Sequence, residues 1–232
     1  SSVTDKTSKV AEYILAAREM GISILPVDVN KSVAEFGVEG KNIRFGFNAV
    51  KSMGRPTITA IIEERTNNGD FHSMQDFITR MAGVINKRTV EHLILAGAFD
   101  TFGNTRRGMM NVYERMIDSA VKQNKDAISG QMSLFDFVSE EDKQSLEMKV
   151  PDIQEFEKED LLEREKEVLG VYVTGHPLDE YTGMWEKHIS ARSTDFLIDE
   201  ETGQAKLMNG SKQTIGGLIS NIKVITTGSG QQ

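Results

Sequence analysis

Apolar residues recur at helical spacing early in the chain, with Val10, Tyr13, Ile14 and Ala17 on one face, and Gly21 after Met20 predicts the helix stop. Ile22 to Leu25 is a short apolar run closed by Pro26. The stretch PVDVN that follows predicts a turn or extended segment, because a residue before proline avoids the α region. From Asn42, NIRFGFNAV alternates Ile43, Phe45 and Phe47 and then passes into a helical pattern. In AVKSMGRPTITAIIEER, a helical approach is expected to end at Met53-Gly54. Pro56 sits at or just before the next start, and Ile58, Ile61 and Ile62 form the stripe of a second helix. Asn86 is a good N-cap for KRTVEHLILAGAF, whose Val90, Leu93 and Ile94 share a face. Gly97 breaks that helix, and Asp100 to Asn104 leads into the helix TRRGMMNVYERMIDSAV. Further on, Pro151 to Leu169 is expected to be one helix with Ile153, Phe156, Leu161, Leu162, Val168 and Leu169 as its apolar positions. TIGGLISNIKVITTGSG predicts a strand running into a turn.

Length and composition allow one large domain or two small ones: 232 residues with 38% hydrophobic content can bury a core. No apolar run approaches the roughly 20 residues that cross a bilayer, so no membrane association is expected. The first residues, SSVTDKTSK, lack both an apolar core of a signal and a starting Met, which suggests a fragment. The absence of cysteine excludes disulfides, thiolate zinc sites and cysteine nucleophiles, and suits a reducing cytoplasm.

The formal net charge of -8 conceals an asymmetry. Lys41 to Arg115 holds 11 Lys and Arg against 7 Asp and Glu, a net of +4, whereas Asp136 to Gly170 holds 5 against 13, a net of -8. Phosphate binding depends on the local basic face rather than the sum, so the acidic whole does not argue against nucleic acid.

Two turns concentrate this basic charge. In the first, Lys51 and Arg55 flank the start of a helix, where outward-pointing amides and the helix dipole favour an anion. An ordinary helical corner carrying two basic residues has the same sequence. The second turn repeats the pattern, with Arg106 and Arg107 at a helix start where the dipole disfavours cations unless an anion is present. Paired helix-hairpin-helix turns with basic residues point to duplex phosphates, hence to binding without base readout and with strong salt dependence.

Other residues with potential chemistry have plainer readings. Asp28 is expected to cap or turn. His72, His92, His176 and His188 show no ligand spacing, His176 before Pro177 suits a turn or a packed position, and Trp185 is expected to be structural. Glu163, Glu165 and Glu167 point to different sides of a helix, which disfavours a metal site, and the charges of this segment are expected to form a solvated face.

The order of GI-x-ILP-x-DVN-x-S (Gly21 to Ser32), IRFGF-x-AVK-x-MG (Ile43 to Gly54), LILAGAFD (Leu93 to Asp100), EREKEVLGVYVTGHPL (Glu163 to Leu178) and GGLISNIKVIT (Gly216 to Thr226) resembles the alpha subunits of bacterial DNA polymerase III. The resemblance implies a mainly α chain: a tandem helix-hairpin-helix domain, short flanking strands and an incomplete OB-type β segment at the C-terminal end. It divides the chain into the end of a fingers region (1–40), the tandem domain (41–125), a linker (126–150), a helix and connector (151–190) and the start of an OB-type domain (191–232). The candidate DNA-binding residues are Lys51, Met53, Gly54, Arg55, Thr57, Lys87, Arg88, Gly97, Gly103, Asn104, Thr105, Arg106 and Arg107. The first hairpin departs from the family's Gly-x-Gly, reading Ser52-Met53-Gly54, and Pro56 removes one backbone donor. Thr174 stands where serine is usual, a change expected to matter little.

The family also carries a short peptide for the ring-shaped sliding clamp, and Gln131-Met132-Ser133-Leu134-Phe135 is similar to it in sequence and position. Leu134 and Phe135 would anchor in an apolar pocket with Gln131 hydrogen-bonding at its rim. Burial of two such side chains is worth on the order of 3 to 6 kcal/mol before ordering costs, and tethering adds effective concentration. The same residues, with Phe137, could instead pack back on the helical domain. By resemblance the parent protein is a DNA-directed DNA polymerase that needs Mg2+ and works with primer-template duplex, the clamp and other replicase subunits. This stretch shows no palm-type acidic constellation and no cofactor motif, so no catalytic residues, metal ligands or nucleotidyl transfer are expected of it. A free-standing helix-hairpin-helix repair or recombination factor and a structural helical spacer are the alternatives.

Overall fold

A computed structural model describes residues 3–128, 148–181, 183, 187–196, 198 and 203–219. They fall into two compact units, Ser1–Gly175 and His176–Gln232. The first unit is mainly helical: α1 (Val3–Glu19), α2 (Arg55–Asn68), α3 (Met74–Arg80), α4 (Lys87–Leu95), α5 (Arg106–Ile128) and α6 (Lys158–Leu169). Between α1 and α2 lies a small sheet of β1 (Ile24–Leu25), β2 (Gly37–Glu39) and β3 (Asn42–Arg44) in the order β1-β3-β2, with β1 parallel and β2 antiparallel to β3.

The expected helices form where stripes and stop signals coincide. α1 ends at Gly21, whose φ of 75° suits glycine. Ile58 and Ile61 of α2 are buried, and so are Val90, Leu93 and Ile94 of α4. The Asn86 side chain accepts from the Thr89 amide at 2.9 Å, as an N-cap should. α3 has no counterpart in the sequence-based expectation. Its signal is Ser73-Met-Gln-Asp76, in which the Ser73 hydroxyl accepts from the Asp76 amide at 3.0 Å and the Asp76 carboxylate accepts from the His72 amide at 3.0 Å.

A row of rings fills the centre: Phe71, Phe77 and Phe99 meet edge to face at 5.0 and 5.1 Å between centroids, and Arg80 lies over Phe71 at 4.3 Å. The polar residues of PVDVNKS fasten the loop to this core. Asp28 Oδ1 accepts from the Asn30 amide at 2.7 Å, the turn role expected of it, and Ser32 Oγ donates to the Phe45 carbonyl at 2.7 Å. The Asn30 side chain exchanges two hydrogen bonds with the Phe71 backbone, Arg65 donates to the Val29 and Ser32 carbonyls, and the Val29 amide donates to the Ala98 carbonyl.

Two expectations for residues 151–169 differ from the structure. The helix expected from Pro151 begins only at Lys158, because residues 148–157 run without regular structure along the start of α5, with side-chain and backbone acceptors already engaged there. Glu165 is not on a solvated face but fully buried at 0% exposure. Its carboxylate accepts from the Val173 amide at 2.6 Å and from the Thr174 amide and hydroxyl at 2.9 and 2.7 Å. Thr174 therefore does what a serine hydroxyl could do.

In the second unit, 3₁₀ turns span Asp179–Tyr181 and Ser193–Phe196, and Ile198 bridges Ala205. His176 serves a turn, its Nδ1 accepting from the Leu178 amide at 3.1 Å. Residues 211–219 adopt no regular strand, with Ile215 and Ile219 exposed, whereas a strand was expected from Thr214 onward. The rest of that expected strand, like Trp185, lies outside the described residues.

Candidate nucleic-acid interface

The first hairpin is shorter than its sequence suggests. The approach to it is one 3₁₀ turn, Phe47–Ala49, rather than an α-helix, and Gly46 just before it backs closely against the Glu35 carbonyl. Lys51 and Ser52 make the turn. Ser52 takes φ 66°, the only non-glycine residue with positive φ among those described, and a glycine there would relieve that strain. Gly54 then caps α2 with no side-chain hydrogen bond, leaving the first-turn amides of Arg55 and Thr57 without a capping acceptor. Pro56 contributes no donor. Lys51, Gly54 and Arg55 are exposed, Met53 and Thr57 half-buried. The turn is held from behind: the Lys51 amide donates to the Val168 carbonyl at the end of α6 at 2.9 Å, and His92 Nδ1 of α4 lies 2.8 Å from the Lys51 carbonyl. Since that carbonyl only accepts, the His92 Nδ1 carries hydrogen.

The second hairpin differs. α4 closes with Gly97 at φ 82° and two hydrogen bonds, Gly97 amide to Ile94 carbonyl and Ala98 amide to Leu93 carbonyl. A 3₁₀ turn, Asp100–Phe102, and Gly103 at φ 80° lead through exposed Asn104 to Thr105, whose hydroxyl caps α5 by accepting from the Gly108 amide at 3.0 Å. Arg106 was expected to face phosphate. Instead it is 3% exposed, because its guanidinium completes an internal network: Nε and Nη2 donate to the two Asp100 oxygens at 3.0 and 2.7 Å, and Nη1 donates to the Leu95 carbonyl at 2.9 Å, with Glu165 3.6 Å away. Burial opposes its charge, but Asp100, Glu165 and Glu155 outweigh that and hold its pKa above the ordinary value. Arg107 is exposed, yet the amides of both arginines are taken by the Glu155 carboxylate at 2.6 and 2.9 Å.

In the first turn of α4, Arg88 is exposed, whereas Lys87 pairs with Asp118 at 3.0 Å and Glu114 at 3.5 Å on α5, which raises its pKa. The peptide Gln131-Met132-Ser133-Leu134-Phe135 lies outside the described residues. Asp100, Glu155, Glu165 and His92 escaped the sequence-based candidate set. Each acts through a partner distant in sequence or buried, a relation that local spacing does not encode.

A family model described as a helix-hairpin-helix motif matches residues 21–109, the span holding both turns. The chain is 41% identical over 184 residues to DNA polymerase III subunit alpha of Thermus aquaticus, covering 78% of the chain and 14% of that protein. It is 33% identical over 223 residues to the protein of the same name from Mycobacterium leprae (96% of the chain, 18% of the relative). The identity is again 33% over 229 residues with that of Deinococcus radiodurans (97% and 17%). The chain belongs to the DNA polymerase III alpha subunit family. It spans less than a fifth of the length of these relatives. Membership in the alpha subunit family sets aside the reading as a free-standing repair or recombination factor, and Val29, Glu165 and Val168 of the two shared motifs contact the hairpins from behind.

Among the described residues no group of three or more His, Asp or Glu side chains is placed to hold a metal ion. No described helix is long and apolar enough to cross a membrane.

Proposed function

We propose that this chain is the part of a bacterial replicative DNA-directed DNA polymerase that grips primer-template duplex without base readout and tethers the enzyme to the sliding clamp. The observation that carries the DNA reading is the first hairpin: a helix start capped by Gly54 with no side-chain acceptor, between exposed Lys51 and Arg55. Such a start offers amides and a favourable dipole to a phosphate oxygen, while the two cations add sequence-independent attraction. His92 and α6 hold the turn rigid, so little ordering is needed on binding. The whole alpha subunit would supply the polymerase centre with its Mg2+, work beside other replicase subunits and act in the cytoplasm. Residues 41–125 would be its tandem hairpin domain, 126–150 the clamp linker and 191–232 the start of an OB-type domain.

Binding of a fluorescent duplex, followed by anisotropy across a salt series, tests the DNA reading. Changing Lys51→Ala together with Arg55→Ala is expected to lower affinity about tenfold at low salt and to reduce the slope of log K against log salt by about 2. Unchanged affinity and slope would refute it. For the clamp, Gln131, Leu134 and Phe135 resemble the family's peptide in sequence and position. Binding to a purified bacterial sliding clamp is expected for the unaltered chain and lost when these three residues are alanine in a chain that still folds. If the altered chain binds as well as the original, the tether lies elsewhere.

A further inference from the structure

A cation-bearing helix start such as that of α5 calls for an anion, and the chain provides one itself. Glu155 Oε2 accepts from the Arg106 amide at 2.6 Å and Oε1 from the Arg107 amide at 2.9 Å, the two-oxygen, two-amide pattern by which a backbone phosphate is held at a helix start. The chain around Glu155 is fitted to the same place. Thr105 Oγ1 donates to the Ile153 carbonyl at 3.1 Å. A Cβ on Gly108, in the first turn of α5, would stand 2.6 Å from the Pro151 carbonyl oxygen and 3.1 Å from the Val150 side chain. Phe156 is covered by Arg164 of α6 at 4.4 Å. Beneath it, the Arg106 guanidinium is fully engaged with Asp100, Leu95 and Glu165.

We infer that residues 150–156 form a strap that closes the second hairpin to duplex DNA, with Glu155 standing in for a backbone phosphate, so that the duplex is held through the first hairpin alone. This rests on the DNA-binding reading above for its functional meaning. It deepens that reading by making the two hairpins unequal. The first start has no side-chain cap and presents Lys51 and Arg55 to solvent, whereas the second is capped by Thr105 and filled by Glu155. A duplex phosphate could reach the second start only by displacing a tethered carboxylate together with the backbone packed against Gly108. The tethered group holds the advantage, because its effective concentration exceeds that of a free phosphate.

Two readouts on the full chain test the strap. In the first, sodium sulfate is titrated while the amide NMR signals of Arg106 and Arg107 are followed. They are expected to stay in place in the unaltered chain and to move saturably in Glu155→Ala. In the second, duplex affinity is measured at about 50 mM salt, where phosphate contacts are strong. Adding Glu155→Ala to the Lys51→Ala, Arg55→Ala chain is expected to recover at least about threefold in affinity as the second start opens. Should circular dichroism show Glu155→Ala unfolded, Glu155→Gln, which keeps the size and removes the charge, takes its place in both readouts with the same expectation. The inference is overturned if duplex shifts the Arg106 and Arg107 amides of the unaltered chain, or if removing the carboxylate leaves both the sulfate response and the duplex affinity as they were. Absence of duplex binding by every chain would remove the DNA reading while the sulfate response still decided whether Glu155 fills the seat.

Discussion

Replacing Arg106 with alanine is expected to destabilise the first unit by about 3–5 kcal/mol, the usual effect of removing one partner from a buried charge network. Asp100 is partly solvated and could rehydrate, but Glu165 has no exposed surface, and the Leu95 carbonyl would lose its donor as well. The empty volume lies against Gly97, whose missing side chain makes room for the guanidinium: a Cβ there would collide with Arg106 Nη2 and stand 2.8 Å from Asp100 Oδ2. In a thermal melt the change corresponds to a fall of roughly 6–20 °C. Arg106→Lys should recover only part of this, because an ammonium cannot grip both Asp100 oxygens and the Leu95 carbonyl in one plane. A melting point within about 2 °C of the unaltered chain would mean that Glu165 is satisfied by its amide donors alone. The prediction also separates two roles for Arg106. A phosphate ligand could be removed at little thermal cost; a buried strut could not.

Arg106 shows where sequence reading reached and where it stopped. The turn between α4 and α5 was legible, because Asn86, Gly97 and the Val90, Leu93, Ile94 stripe are signals within a few residues of the structure they specify. The anion requirement of Arg106-Arg107 was legible too, from the dipole alone. The identity of the anion was not, since Glu155 lies 49 residues beyond Arg106 and in a segment whose composition reads as helix. The burial of Glu165 was hidden for a related reason. Its neighbours Glu163 and Glu167 give the segment the look of a solvated face, and only the return of Val173 and Thr174 over Gly170 brings donors to it. The family resemblance ran ahead of both, because motif order survives where the physical role of each residue is unreadable from its neighbours. It identified the Glu163 to Leu178 motif without saying that this motif fixes a hairpin in place.

The first hairpin has a corresponding weak point at Gly46. Alanine there is expected to destabilise the unit by about 3 kcal/mol, by steric overlap rather than by backbone conformation, since φ is -88° and open to any residue. The added Cβ would fall on the carbonyl carbon and oxygen of Glu35 and 2.6 Å from the Ala34 oxygen. Those backbone atoms cannot simply retreat. The Phe47 and Asn48 amides donate to the Val33 and Ala34 carbonyls at 2.9 Å each, and Phe45 and Phe47 on either side of the glycine are buried. Relief therefore requires breaking one or both hydrogen bonds, at about 1 kcal/mol each, and shifting two packed rings. Because Phe47–Ala49 leads directly into Lys51 and Ser52, the shift would propagate to the proposed phosphate seat. Chemical denaturation should show the loss of stability. Duplex affinity measured well below the midpoint should fall as well, even though Lys51 and Arg55 are intact. If stability falls while affinity holds, the seat is positioned by His92 and α6 alone, and the sheet is only a support for the core.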